Sequence, residues 1–221
     1  MAWPPEGNPN APSIQPDLLP SDASGARARK STIRHNDLNI GNIMFGDFDS
    51  ITHQLTPILK LIDFGQASNS TESFTYTEES AVRQNMLRVA EVMVNMIGGA
   101  VVTTMSGTKD MEVTINGVRR TIKSRARDLD GLNRGWGASN AVINKQRQWL
   151  DNLDADLRNL LVRCLATEER WRPSLEELFE EVRSNVERKT WGSYAGKRWQ
   201  ENETDASLRT LSRELIVNRR Q

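Results

Sequence analysis

Three oxygen-bearing side chains in the stretch 35–65 stand at spacings suited to phosphate and a divalent cation: Asp37, Asn42 and, after an apolar run, Asp63. A carboxylate beside a transferable phosphoryl group can take the proton of an incoming hydroxyl, while an amide oxygen and a second carboxylate are hard ligands of the kind Mg²⁺ accepts. Asp37 and Asn42 are therefore the candidate catalytic residues, and Asn42 and Asp63 the candidate cofactor and metal ligands. Two elements must position them. The stretch His35-Asn36-Asp37-Leu38-Asn39-Ile40-Gly41-Asn42 runs straight into Ile43-Met44-Phe45, and Ile58-Leu59-Lys60-Leu61-Ile62 leads into Asp63-Phe64-Gly65. Two short neighbouring strands would carry both polar clusters at their ends and so bring distant carboxylates together.

The ordered pair His-x-Asp-Leu-x-x-x-Asn and Asp-Phe-Gly resembles the catalytic loop and the Asp-Phe-Gly segment of eukaryotic protein kinases. Downstream, Cys164-Leu165-Ala166 followed by Arg172-Pro173 is again similar to the large lobe of that family. The resemblance covers residues 31–189. It implies a mainly α fold with short β hairpins, an α+β class, namely a kinase-like C-terminal lobe whose small lobe is not readable. It also implies Mg²⁺ and ATP as cofactors, with phosphoryl transfer to a Ser/Thr hydroxyl of a protein substrate: Asp37 would orient the acceptor hydroxyl, and Asn42 and Asp63 would hold the metal.

The sequence departs from the family at several points. Residues 1–30 contain no Gly-x-Gly-x-x-Gly and no Val-Ala-x-Lys, so the expectation is a separate chain supplying the small lobe, or a chain that is part of a longer one. Asn36 stands where an arginine would pair with a phosphorylated activation segment, and Asn39 where a lysine would reach the γ-phosphate. A second reading is a pseudokinase-type binding scaffold that serves a protein partner. A third is a small-molecule phosphotransferase resembling aminoglycoside and choline kinases, which also use His-x-Asp and a later Asp; Phe64-Gly65 and Arg172-Pro173 favour the protein-kinase branch.

Composition bounds the partners. The 221 residues carry 29 basic and 29 acidic side chains, so bulk charge gives no reason to expect a nucleic-acid or membrane surface. Cys164 is the single cysteine, which excludes an internal disulfide, and His35 and His53 are too few for a zinc constellation. No apolar run approaches the roughly 18 residues that suggest a bilayer span, and the expected location is intracellular, cytoplasmic or nuclear.

Along the chain, residues 1–30 hold Pro4, Pro5, Pro9, Pro12, Pro16 and Pro20 and show no apolar period, which predicts a disordered tail. Residues 46–56 read as a polar connection between strands, and 68–80 as a hydroxyl-rich loop in the place of an activation segment. Apolar residues on most sides of Ala81–Ile97 predict a helix buried on nearly every face, ended by Gly98-Gly99. Within it Asn85, Leu87 and Ala90 hold the places of a kinase Asp-x-Trp-x-x-Gly, with Asn85 a weaker acceptor for the catalytic-loop backbone than that aspartate.

Residues 111–123 read as a hairpin turning at Asn116-Gly117, an insertion with a basic, solvated face. A short helix is predicted from Ser139 to Leu150. Two more follow from the stripes Leu157, Leu160, Leu161, Cys164, Leu165 and Leu175, Leu178, Phe179, Val182, Val186, the second opened by a Ser174/Glu177 capping box. Arg172 is expected to pair with Glu78 or Glu79. The C-terminal tail, 190–221, shows a modest helical stripe over Ser207–Asn218, with Trp191, Tyr194 and Trp199 as tethers.

Overall fold

The computed structural model describes residues 33–47, 57–69, 78–98, 107–130, 153–197, 200–212 and 214. The predicted tail at 1–30, His53, the helix at 139–150, Trp199 and the stripe beyond residue 214 lie outside these. The described chain is mixed α and β. Short strands β1 (Ile33–Arg34), β2 (Ile43–Phe45), β3 (Leu59–Leu61) and β4 (Ser68–Asn69) precede a long helix α1 (Glu78–Gly98). A hairpin of β5 (Lys109–Ile115) and β6 (Val118–Ser124) follows, then helices α2 (Ala155–Cys164), α3 (Leu175–Arg188) and α4 (Asp205–Ser212). Among the described residues the strands form three separate antiparallel ladders, β1 with β4, β2 with β3 and β5 with β6.

Helix α1 runs without Gly or Pro until Gly98 and starts three residues before the predicted Ala81. Its residues Val82, Met86, Leu87, Ala90 and Val94 are buried against Met111, Val113 and Ile122 of the hairpin and Leu160, Leu161 and Cys164 of α2. Burying such side chains stabilises by about 1.5–3 kcal/mol each before chain entropy is subtracted. Burial on nearly every face does not hold, however. Val89 and Met96 are exposed, so the helix keeps one apolar side uncovered.

The hairpin forms as read, with its basic residues Arg119, Arg120 and Lys123 exposed, and its other face is part of this core. Asn116 and Gly117 both take positive φ, 51° and 76°, as a two-residue type I′ turn requires. Alternation then turns Met111, Val113, Ile122 and Ser124 inward, while Arg119 and Lys123 on the opposite face, and Val118 and Arg120 near the turn, meet solvent. Both edges are stitched to α2 and its exit. Asn159 accepts from the Thr114 amide at 2.7 Å and donates to its carbonyl at 2.9 Å, while Thr167 N–H bonds Lys123 O at 2.9 Å and Arg125 N–H bonds Leu165 O at 3.0 Å.

Local signals fix the later helices. Asp154 caps α2, accepting from the amides of Asp156 and Leu157, and the Lys189 ammonium reaches Asp154 and Asp156 at 2.5 and 2.9 Å. Ser174 and Glu177 form the expected capping box of α3. The stripe of α3 is buried only at its start: Leu175 is enclosed, Leu178 and Phe179 are half-buried, and Val182 and Val186 face solvent. Helix α4 begins at Asp205, two residues ahead of its predicted start, with Leu211 exposed. Burial pushes the Cys164 thiol up to about 12, as expected for a core residue without thiolate chemistry.

Candidate functional site

The site is built where two ladders meet the start of α1. In the β2–β3 ladder Ile43 pairs with Leu61, Met44 with Lys60 and Phe45 with Leu59. The ladder's last backbone bond runs from Ile62 N–H to Asn42 O at 2.9 Å. That bond sets Asn42 beside Ile62, one residue from Asp63, which is the convergence the strand pattern implies. The second ladder pairs Ile33 with Asn69 and Arg34 with Ser68, so the chain enters the first polar loop and leaves the second on neighbouring strands.

Within the first loop, residues 35–42, Asp37 is held by two amides. Asn42 Nδ2 donates to the Asp37 carbonyl at 2.8 Å and to its Oδ2 at 3.2 Å. Asn39 Nδ2 donates to the same carbonyl at 3.1 Å and to Oδ1 at 3.0 Å. Because the Asn42 amide nitrogen is spent on Asp37, its side-chain oxygen is the atom left for a cation. Asn39 also accepts from Gly41 N–H at 2.8 Å, capping the 3₁₀ turn Ile40–Asn42. Sequence reasoning saw Asn39 only as a missing lysine. Its role as a brace for Asp37 follows from Asn-x-Gly, a local turn signal in which the side chain bonds the backbone two residues on.

In the second loop Asp63 takes a left-handed backbone, φ 58°, and Asn36 in the first takes φ 62°, a conformation that Asp and Asn tolerate better than most residues. Asp63 Oδ1 accepts from Gly65 N–H at 3.2 Å, which fixes the carboxylate while its other oxygen stays available. Asn36 Nδ2 reaches Gln66 O at 2.9 Å and Ser68 Oγ at 2.8 Å, so this residue ties the two loops directly to each other.

Behind the loops His35 is buried, its ring 4.8 Å from that of Phe64 and its Nε2 3.0 Å from Ile62 O. A carbonyl can only accept, so Nε2 carries the proton. Asn85 of α1 clasps the entry to the loop from below. Its Oδ1 accepts from His35 N–H at 3.1 Å and its Nδ2 donates to Ile33 O at 2.9 Å. Asn85 thus accepts from the loop backbone at the place expected of it and adds a second bond, which needs a donor that a carboxylate lacks.

The expected partner of Arg172 is also different. Its guanidinium bonds Ala166 O at 2.9 Å and Thr167 O at 3.4 Å and touches Gln84 Oε1 at 3.5 Å. Glu79 instead pairs with Arg83 at 3.0 Å, and the Glu78 side chain lies outside those described. Burial, reinforced by the nearby Arg125 and Arg83, lowers the pKa of Arg172, with Glu169 acting in the opposite direction.

Among the described residues no group of three or more His, Cys, Asp and Glu side chains could hold a metal ion by itself. Asn42 and Asp63 offer two hard oxygens at one end of a ladder, which fits Mg²⁺ that takes its remaining ligands from phosphate and water. No helix among the described residues is long and apolar enough to cross a membrane. No protein-family model, no curated protein and no solved structure matches the chain.

Proposed function

We propose that the chain is a protein kinase-like phosphotransferase lobe that passes a phosphoryl group from ATP to a Ser/Thr hydroxyl of a protein. One observation carries the reading: Asn42 donates from its side chain to Asp37 while its backbone accepts from Ile62, so one residue joins the candidate base to the segment of the candidate metal ligand Asp63. In this reading Asp37 accepts the proton of the acceptor hydroxyl, and the amides of Asn39 and Asn42 keep its carboxylate in one orientation. Bound Mg²⁺ would neutralise charge on the phosphates, with Asn42 and Asp63 as the residues that hold it.

The exposed pair Phe45 and Leu59 leaves an apolar side to the β2–β3 ladder, and a separate chain supplying a small lobe belongs to the same proposal. That exposure also favours a second reading, a pseudokinase-type scaffold that binds a protein partner without chemistry. Replacing Asp37 by Asn separates the two. Turnover is expected to fall by about 10²- to 10⁴-fold with Mg·ATP affinity retained, since a general base acts in the transition state. Phosphotransfer that Asp37→Asn leaves unchanged would remove Asp37 from the mechanism, and a wild-type chain that binds a protein but transfers no phosphate favours the scaffold.

A further inference from the structure

The hairpin β5–β6 keeps part of one strand edge open. Its two-residue turn makes Ile115 and Val118 exchange both backbone bonds, so Val113 with Arg120 and Met111 with Ile122 are bonded pairs, and the backbone groups of the residues between them point away from the ladder. On the β5 side Asn159 takes the outward N–H and C=O of Thr114. On the β6 side the bridge of Ser124 with Ala166 covers the end of the edge, where Thr167 N–H bonds Lys123 O. Among the described residues no hydrogen bond reaches the outward groups of the next two positions, Thr121 and Arg119, and both residues are exposed. Two N–H donors and two C=O acceptors therefore stand along β6 at the spacing of an extended chain.

The same stretch holds two guanidiniums without a carboxylate. Among the described residues neither Arg119 nor Arg120 makes an ion pair; Arg120 lies over the ring of Trp171, 5.7 Å from its centroid, and Arg119 stands on the opposite face of the hairpin. Side chains of an added strand alternate between the two faces, and each shares its face with the residue opposite. Two adjacent acidic residues would thus meet Arg119 on one face and Arg120 on the other. A second copy of this edge fits badly, because pairing centred here sets Arg120 against Arg120.

From these two independent features, the open edge and the paired arginines, we infer that the chain binds an extended peptide with two adjacent carboxylates, added as a third strand along residues 119–121 of β6. The backbone bonds to Arg119 and Thr121 fix its register, and the two guanidiniums select its charge. This site shares no residue with that of Asp37 and Asp63, and it stands whether or not the chain transfers phosphate.

Three capped hexapeptides test the inference on the full chain: Thr-Val-Glu-Glu-Val-Thr, its Lys-Lys analogue, and the Glu-Glu peptide N-methylated at every backbone amide, which keeps the charges and removes the donors. The first is expected to bind saturably and at least tenfold tighter than either of the others. At saturation, amide exchange is expected to slow at Arg119 and Thr121 and to stay unchanged at Arg120, whose N–H is already bonded within the hairpin. The double substitution Arg119→Glu with Arg120→Glu, on exposed positions, is expected to weaken the Glu-Glu peptide at least tenfold.

Equal affinity for the Lys-Lys peptide would overturn the selection by charge, and equal affinity for the methylated one, or unchanged exchange at Arg119 and Thr121, would overturn strand addition. Binding undiminished in the folded double variant would overturn the location. Absence of saturable binding would overturn the site itself, as would exchange at these amides that slows with chain concentration alone, the mark of a second copy on the edge. The comparison of the three peptides on the wild-type chain decides the matter should the double variant fail to fold.

Discussion

Leu161 and Leu59 are the same residue in opposite circumstances. Leu161, on α2, is 2% exposed and meets α1 and the hairpin, whereas Leu59, on β3, is 56% exposed beside the candidate site. The contrast runs through the whole molecule. Helices α1 and α2 with the hairpin enclose a dense apolar cluster, but the loops that carry Asp37 and Asp63 hang on ladders of two or three residues per strand. Side-chain amides do there what packing does elsewhere. Asn36, Asn39, Asn42 and Asn85 supply bonds that hold the loops to each other and to α1, which suits a site that must stay open to its reactants.

The sharpest way to test this division is to truncate both leucines. Leu161→Ala leaves a cavity in the cluster and is expected to cost about 2–5 kcal/mol in denaturant unfolding. Leu59→Ala changes a solvent-facing side chain and is expected to cost less than about 0.5 kcal/mol. Equal losses at the two positions would erase the distinction.

A smaller effect is expected where the two regions are joined. Asn85→Leu removes both bonds of the clasp, to His35 N–H and to Ile33 O, and should cost about 1–3 kcal/mol. Amide exchange should quicken at His35 and not at the buried amides of α2. Unchanged exchange at His35 would mean that the clasp does not hold the loop.

A loss below that of the clasp should come from the cap of α2. Asp154→Ala is expected to cost about 1 kcal/mol. Burial tends to raise the pKa of Asp154, but the Lys189 hydrogen bond and the amides of Leu157 and Asp156 outweigh it and lower the value overall. A carboxyl lowered on folding stabilises above its unfolded pKa and loses that contribution as pH falls through the folded value. The gap between wild type and Asp154→Ala should therefore be full above about pH 4 and shrink at lower pH. A gap that widened on acidification would contradict the assignment.

What could be read in the sequence divides along the same line. The capping box of Ser174 and Glu177, the Asn116-Gly117 turn and the convergence of Asn42 with Asp63 were legible, because each rests on neighbours a few residues apart or on a short apolar strand. The hold of Asn85 on the loop backbone at His35 came only through the resemblance, and its second bond, to Ile33 O, was not legible, since it spans about fifty residues and depends on which side of α1 faces the loop. Arg172 was misplaced for a related reason: its partners are backbone carbonyls, which no residue type announces. Val182 and Val186 carry the period of a buried stripe, but period alone does not say whether another element covers it.

The central claim is that Asn42 and Asp63 form one cation and nucleotide site beside Asp37, and calorimetric titration of the chain with ATP tests it most directly. The account predicts binding that requires Mg²⁺ and is lost or weakened at least tenfold in Asp63→Asn, because a hard cation loses an anionic ligand, while Asp37→Asn binds as wild type does. Mg·ATP binding that Asp63→Asn leaves intact, or no binding by the wild-type chain, would contradict it.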